Sequence, residues 1–335
     1  MFEWAEEPIW NLYRWNWVFA AAIAATLISG LAVTDFYVRA SSVLIVLGAT
    51  ALYGICGYLN ATSPTRRNPR IAFAFTATAQ MILLLAMMTS LTYIATSANL
   101  PLMDTRLLAI DRALGWDFHA YLSVINDHPL LLSALALAYR AISMPILIIV
   151  FVLPFAGHFR RAGEFVTAFT IALLVTTAIS TVVPATGVYD TIGIMPSDYP
   201  NVVPQAYYDG KINIPALRDG SLRELDLLKL DGVLTFPSFH AAAAVLYTWA
   251  LWEMRLFRPL NLLINGAMIC ATPAGGGHYL IDVLAGAFLA VASIYAAYRI
   301  SSLALSQIPY QFAPKLQSAI PPVGQCSHLR SGPKP

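Results

Sequence analysis

Eight stretches of largely apolar residues constrain this chain more than any other feature. They lie at about 16–34, 41–60, 71–95, 130–154, 164–183, 238–255, 257–273 and 279–300. A helix needs about 20 such residues to cross the hydrocarbon core of a bilayer. The chain is therefore expected to be all-α, a polytopic integral membrane protein with about eight transmembrane helices. Composition points the same way: 58% of residues are hydrophobic and 11% charged, where a soluble domain carries about 25% charge. The seventh stretch is short and holds Asn261 and Asn265.

The connections differ in character. LPLMDTRLLAIDRALGWDFHAYLSVINDHP, between the third and fourth spans, has apolar residues at helical spacing with charges between them. It predicts one or two amphipathic helices on the membrane surface. Residues 184–235 are rich in Pro, Gly, Asp and Tyr and read as a long extramembrane loop. The segment 305–335 reads as a disordered tail. Three regions follow: 1–70 with two extra helices, a six-helix core over 71–304, and the tail.

Short basic loops set the expected orientation. SPTRRNPR (63–70), GHFRRAGE (157–164) and EMRLFRP (253–259) carry Arg66, Arg67, Arg70, Arg160, Arg161, Arg255 and Arg258. With eight spans these loops and both termini share one side, which the positive-inside rule makes cytoplasmic. The long loops then face the periplasm or a lumen, in a bacterial inner membrane or a eukaryotic endomembrane. MFEWAEEPIW has no basic n-region, so no cleaved signal peptide is expected. A net charge of +2 without a basic, aromatic-interleaved cluster argues against a nucleic-acid partner. Cys56, Cys270 and Cys326 have neither metal nor redox spacing and read as packing residues.

On this topology the chemistry-bearing residues converge. FPSFHA places His240 at the outer start of the sixth span, and GGGHYLID places His278 at the outer start of the eighth. Asp282 lies four residues after His278, so on a helix the two share a face, one turn apart. A carboxylate there fixes the imidazole tautomer and leaves the other nitrogen as nucleophile or base. Gly275–Gly277 permit close approach of a ligand to the backbone. The N–H groups near Ser238, at a helix start opened by Pro237, suit an anion. An anion site, a nucleophilic histidine with its Asp and a second histidine to protonate a leaving oxygen suit phosphoryl transfer. An intramembrane Asp is costly and by default functional. Two histidines and an Asp are also a possible zinc set, but the glycines and the helix start suit phosphate better, so no metal or other cofactor is expected. His119, His128, His158 and His328 fall in loops or the tail.

FPSFHA resembles the second motif, and GGHYLIDVLAG the third, of the type-2 phosphatidic acid phosphatase superfamily. The likeness runs over about 100–300, including LAIDRALGWDFHAYL and LRDGSLRELD, and looks closest to the branch that contains inositol phosphorylceramide synthase. The resemblance implies that His278 attacks phosphorus to form a phosphohistidine, with Asp282 as its partner and His240 as general acid. Two family features are absent. A first-motif Lys with an Arg-Pro pair is not recognisable, and Ala271 and Thr272 stand where Ser-Arg would precede the third-motif His. The candidates to hold phosphate instead are Arg140, Arg218, Arg223, Lys229, Ser238 and Gly277.

The implied function is a membrane lipid phosphatase or phospholipid headgroup phosphotransferase, independent of metal, acting through a phosphohistidine on a lipid phosphate at the outer membrane face. Water or a lipid hydroxyl such as that of ceramide resolves the intermediate. A polytopic lipid transporter is the rival from another class, but its usual inverted repeats are not visible between the halves.

Overall fold

Apolar sequence becomes helix, and the helices end where capping residues, Pro or Gly stop them. The computed structural model describes residues 3–63, 65 and 67–306. In chain order come α1 (Glu3–Val33), β1 (Tyr37–Val38), α2 (Ala40–Thr62), α3 (Pro69–Thr96), α4 (Asp104–Ala113) and α5 (Phe118–Asn126). Then follow α6 (Pro129–Arg140), a 3₁₀ turn (Ala141–Ser143), α7 (Met144–Phe155), α8 (Phe159–Val182), α9 (Val188–Thr191) and α10 (Gln205–Asp219). β2 (Glu224–Leu225), α11 (Phe239–Ala250), two 3₁₀ turns, α12 (Arg258–Gly276) and α13 (Leu280–Ser306) complete the order. Asn68 caps α3 with Pro69 in the first turn, and Asp117 caps α5 by accepting from Ala120 N–H.

Among the described residues, six helical segments are long and apolar enough to cross a membrane: Pro8–Val33, Ala40–Thr62, Pro69–Thr96, Pro129–Phe155, Phe159–Val182 and Leu280–Ser306. The protein is thus an all-α polytopic membrane protein. The sixth and seventh expected spans are helical but do not join that set. α11 has 12 residues before a 3₁₀ turn at Leu251–Glu253, and α12 carries Asn261, Asn265 and Pro273. α11 is largely buried and can be short, whereas α12 buries Asn261 and Asn265 and leaves Leu260, Leu262 and Leu263 exposed. Asn265 donates to the Asn261 side chain, and Asn261 donates to the Thr248 carbonyl.

The amphipathic connection folds as α4 and α5. The 184–235 segment corrects the loop reading, because it contains the 15-residue α10. Gly210 and Pro215 inside that helix hide it from propensity. The expected tail, with Cys326 and His328, lies outside the described residues apart from 305 and 306.

All connections gather at two ends. At one, β1 pairs in parallel with β2, Met103 N–H donates to Pro184 O, and Val188 N–H donates to Gly277 O. This end holds the linker between α1 and α2, both surface helices, the long segment and the turn before α13. At the other end Tyr13 donates to Phe159 O, Asn11 to Ala304 O, and Arg161 pairs with Glu253 at 2.6 Å. The core between them is aromatic and alanine-rich, with Phe73, Phe165, Phe169, Tyr247 and Met88 enclosed.

Candidate active site

The start of α13 is fixed by two carboxylates. Asp282 is the third residue of the helix, and its Oδ2 accepts Tyr279 N–H at 2.9 Å, as in a capping box. Asp111, on α4 and only 2% exposed, accepts Leu280 N–H at 2.7 Å and Ile281 N–H at 2.9 Å. Three successive N–H groups are thereby occupied. The same α4 carries Asp104, which accepts the Tyr279 hydroxyl at 3.0 Å and the N–H groups of Thr186 and Gly187. Burial raises the Asp111 carboxyl above the usual carboxylate range, against the opposing pull of its two N–H donors.

His278 precedes the helix, so the expectation that it stacks one turn below Asp282 within a helix is corrected. Its ring instead folds beside the cap, with Nδ1 3.2 Å from Asp282 Oδ2. Both side chains are buried, at 3% and 0% exposure. With Nδ1 turned to the carboxylate, Nε2 is the nitrogen left for chemistry.

His240 arrives from α11. Ser238 caps that helix: its hydroxyl accepts Ala241 N–H, and its own N–H donates to the Asp282 backbone carbonyl at 3.0 Å. The two histidine segments are thus joined backbone to backbone. Gly286 makes this possible, since a Cβ there would collide with the Ser238 carbonyl.

His240 and His278 line one cavity of about 750 Å³. One wall is apolar, with Leu85, Leu132, Ile146, Phe169 and Leu173. The charged side chains in the lining are Arg140, Asp209 and Asp231. Tyr139 stacks on His240 with ring centroids 3.9 Å apart and planes 6° from parallel. Arg140, at the break between α6 and α7, donates only to Ala136 O among the described residues.

The other candidates lie outside this lining. Arg218 donates to Leu100 O, Arg223 donates to Leu217 O and covers the Phe36 ring, and Lys229 sits 4.0 Å from Asp226. Gly277 ends α12 at φ 67° against Tyr207 and Tyr189. Asp104, Asp111 and Tyr139 escaped the sequence reading. Asp104 and Asp111 stand seven residues apart, on one face of α4, which was the available signal; Tyr139 offered none.

A family model for the PAP2 superfamily matches residues 105–296. No curated protein and no solved structure matches the chain. The matched region begins in α4, ends in α13 and contains the whole cavity-lining histidine arrangement, and it covers more than half of the sequence: the chain belongs to the PAP2 superfamily, the membrane phosphoesterases of phosphatidic acid phosphatase type.

Proposed function

We propose that this protein is a metal-independent lipid phosphatase or headgroup phosphotransferase working through a phosphohistidine on His278. The observation that carries the reading is the Nδ1 contact to Asp282 on a histidine whose ring lines the same cavity as His240. The Nε2 lone pair forms the N–P bond as the P–O bond to the departing alcohol breaks. His240 gives its proton to that oxygen. Water or a lipid hydroxyl then attacks phosphorus and passes its proton to His240, the N–P bond breaks, and His278 is restored. Asp282 holds the Nδ1 proton throughout, favouring the reactive tautomer.

The apolar wall supports a lipid substrate, because acyl chains gain by leaving bulk contact only against such a surface. The charged lining supports a diester. A single cation, Arg140, stands with two acids, Asp209 and Asp231, which suits a phosphate bearing one charge better than a dianionic monoester. That balance, with the resemblance of 100–300, favours the branch of inositol phosphorylceramide synthase. The arginines of the far end support a cavity at the periplasmic or lumenal face with the termini in the cytoplasm. In this reading 71–304 is the catalytic unit and α1 with α2 an addition.

The test is purified protein incubated with phosphate-labelled phosphatidic acid, a prenyl diphosphate, and phosphatidylinositol with ceramide. Labelled inositol phosphorylceramide from the third mixture, and acid-labile label on His278, are expected. Activity is expected to survive EDTA, since phosphohistidine chemistry needs no cation. Loss of activity in EDTA with recovery on adding zinc or magnesium would refute the mechanism. Cleavage of none of the three would refute the function.

A further inference from the structure

We infer that Tyr139 is a third catalytic side chain of this site, its hydroxyl donating a hydrogen bond to a non-bridging oxygen of the phosphoryl group in transfer. The inference rests on the reading of His278 as nucleophile and adds to it a group that no motif contains.

Three observations place the hydroxyl. First, Tyr139 is 7% exposed overall and lines the cavity, and no hydrogen bond to its hydroxyl is found among the described residues. A hydroxyl facing a cavity in this way is free to donate to a ligand oxygen. Second, the ring cannot swing away. It lies flat on His240, and Gly275 comes so close that a Cβ there would stand 2.7 Å from Tyr139 Cγ. Third, the hydroxyl is beside the nucleophile. A Cβ on Gly276 would stand 2.6 Å from the Tyr139 oxygen, 2.6 Å from His278 Cδ2 and 2.8 Å from His278 Nε2, so the hydroxyl and that imidazole edge flank one point. The hydroxyl is thus within reach of an oxygen carried by a phosphorus bonded to Nε2.

The chemistry has a place for such a donor. Charge in phosphoryl transfer is spread over three equatorial oxygens, and catalysis consists mostly of positioning and of donors fixed around them. This cavity has one lining arginine and lacks the family's first-motif cations. A pre-fixed neutral donor in a dry site is worth more than in water and adds no repulsion toward Arg140. The sandwich with His240 serves both residues, because it keeps the acid and the donor in a fixed relation. It also explains two of the three glycines. Gly275 leaves room for the Tyr139 ring and Gly276 for its hydroxyl beside His278.

The experiment uses the full chain in detergent, with orthovanadate as a phosphoryl transition-state mimic and bis(p-nitrophenyl) phosphate, a singly charged diester, as the turnover probe. Tyr139→Phe keeps the ring, its stacking and the fold while removing the donor alone. Loss of one such donor typically costs about 10²–10³ in kcat. The expected result is a kcat reduced about 10²-fold, orthovanadate binding by calorimetry weakened to a similar degree, and KM changed less than about threefold. Gly276→Ala fills the point between the two groups and is expected to abolish orthovanadate binding. A Tyr139→Phe protein with wild-type kcat and wild-type orthovanadate affinity overturns the role of Tyr139 and leaves His278 untouched. A wild-type protein that neither turns over the ester nor binds orthovanadate overturns the phosphoryl-transfer reading itself, and Tyr139 with it.

Discussion

At the end of the bundle that holds His240 and His278, the buried charges are carboxylates that receive backbone N–H groups. At the other end the charges are arginines held by glutamates and aromatic faces. Asp104 and Asp111 together take four N–H groups and a tyrosine hydroxyl. Arg160 pairs with Glu164 at 2.7 Å and lies over Tyr298, while Arg161 pairs with Glu253 and lies over Trp249. The first arrangement fixes the path of the main chain where reacting atoms must be placed to a fraction of an ångström. The second anchors side chains near a surface, where an exposed ion pair such as Arg161–Glu253 adds little to stability, although Glu164 itself is buried. On the proposed function, charge at the site end is expected to govern rate, and charge at the far end topology.

The largest test of that contrast is rate. His278→Ala is expected to abolish turnover and any trapped phosphoenzyme. Asp282→Asn keeps the shape but favours the wrong tautomer, and by analogy with a serine triad loses about 10⁴ in kcat. Arg161→Ala, at the far end, is expected to change kcat less than about threefold. Steady-state rates for the three variants settle it. An Arg161→Ala loss comparable with that of Asp282→Asn would break the contrast.

A smaller effect tests the join between the histidine segments. Gly286→Ala places a methyl against the Ser238 carbonyl, and α13 must move away from the start of α11. A misplacement of about 1 Å can cost about 10² in rate. Gly266 on α12 has nothing within 4 Å of an added Cβ. Gly266→Ala is expected to leave the rate unchanged and to raise stability by up to about 1 kcal/mol through helix propensity. The pair is read by turnover and by thermal unfolding, and equal losses in both variants would mean that Gly286 is not a joint.

How much of this was legible follows from sequence separation. Apolar runs identify membrane helices because burial in lipid depends on local composition alone, so α2, α3 and α8 were readable within a few residues. By contrast α1 begins at Glu3, well before the expected 16, because its first turns are polar and lie outside the apolar run. Ser238 as a cap and the spacing of His278 to Asp282 are also local. The capping box was less legible: spacing gives proximity, but whether the helix starts before or after His278 depends on Asp111, about 170 residues upstream. Tyr139 reaches His240 across about 100 residues from a helix whose sequence, LLLSALALAYR, is that of any membrane span. Polar helix α10 was hidden for the opposite reason, since its Pro and Gly residues mimic a loop and only packing against the bundle makes it fold.

The smallest effect is a difference of sign with pH. Burial raises the Asp111 carboxyl, so the folded protein keeps that proton to higher pH than the unfolded chain does. Its contribution to stability is fully present below the ordinary carboxylate range and is lost as pH rises through the raised value. Asp111→Asn cannot ionise, so relative to that variant the wild type should lose stability with rising pH. Glu253 behaves oppositely. The hydrogen bond from Arg161 holds its carboxyl below the usual range, so its contribution is present above that range and is lost as pH falls through the depressed value. Relative to Glu253→Gln the wild type should gain stability with rising pH, by about 1 kcal/mol or less for so exposed a pair. Thermal unfolding midpoints from about pH 3 to pH 7, spanning the carboxylate range, give both slopes. Slopes of the same sign would mean that the Asp111 carboxylate is stabilised by its N–H donors more than burial penalises it, and that both ends of the bundle hold their acids in the same way. Opposite slopes would show the site end holding a carboxylate at a cost to stability, in return for the fixed backbone on which His278 stands.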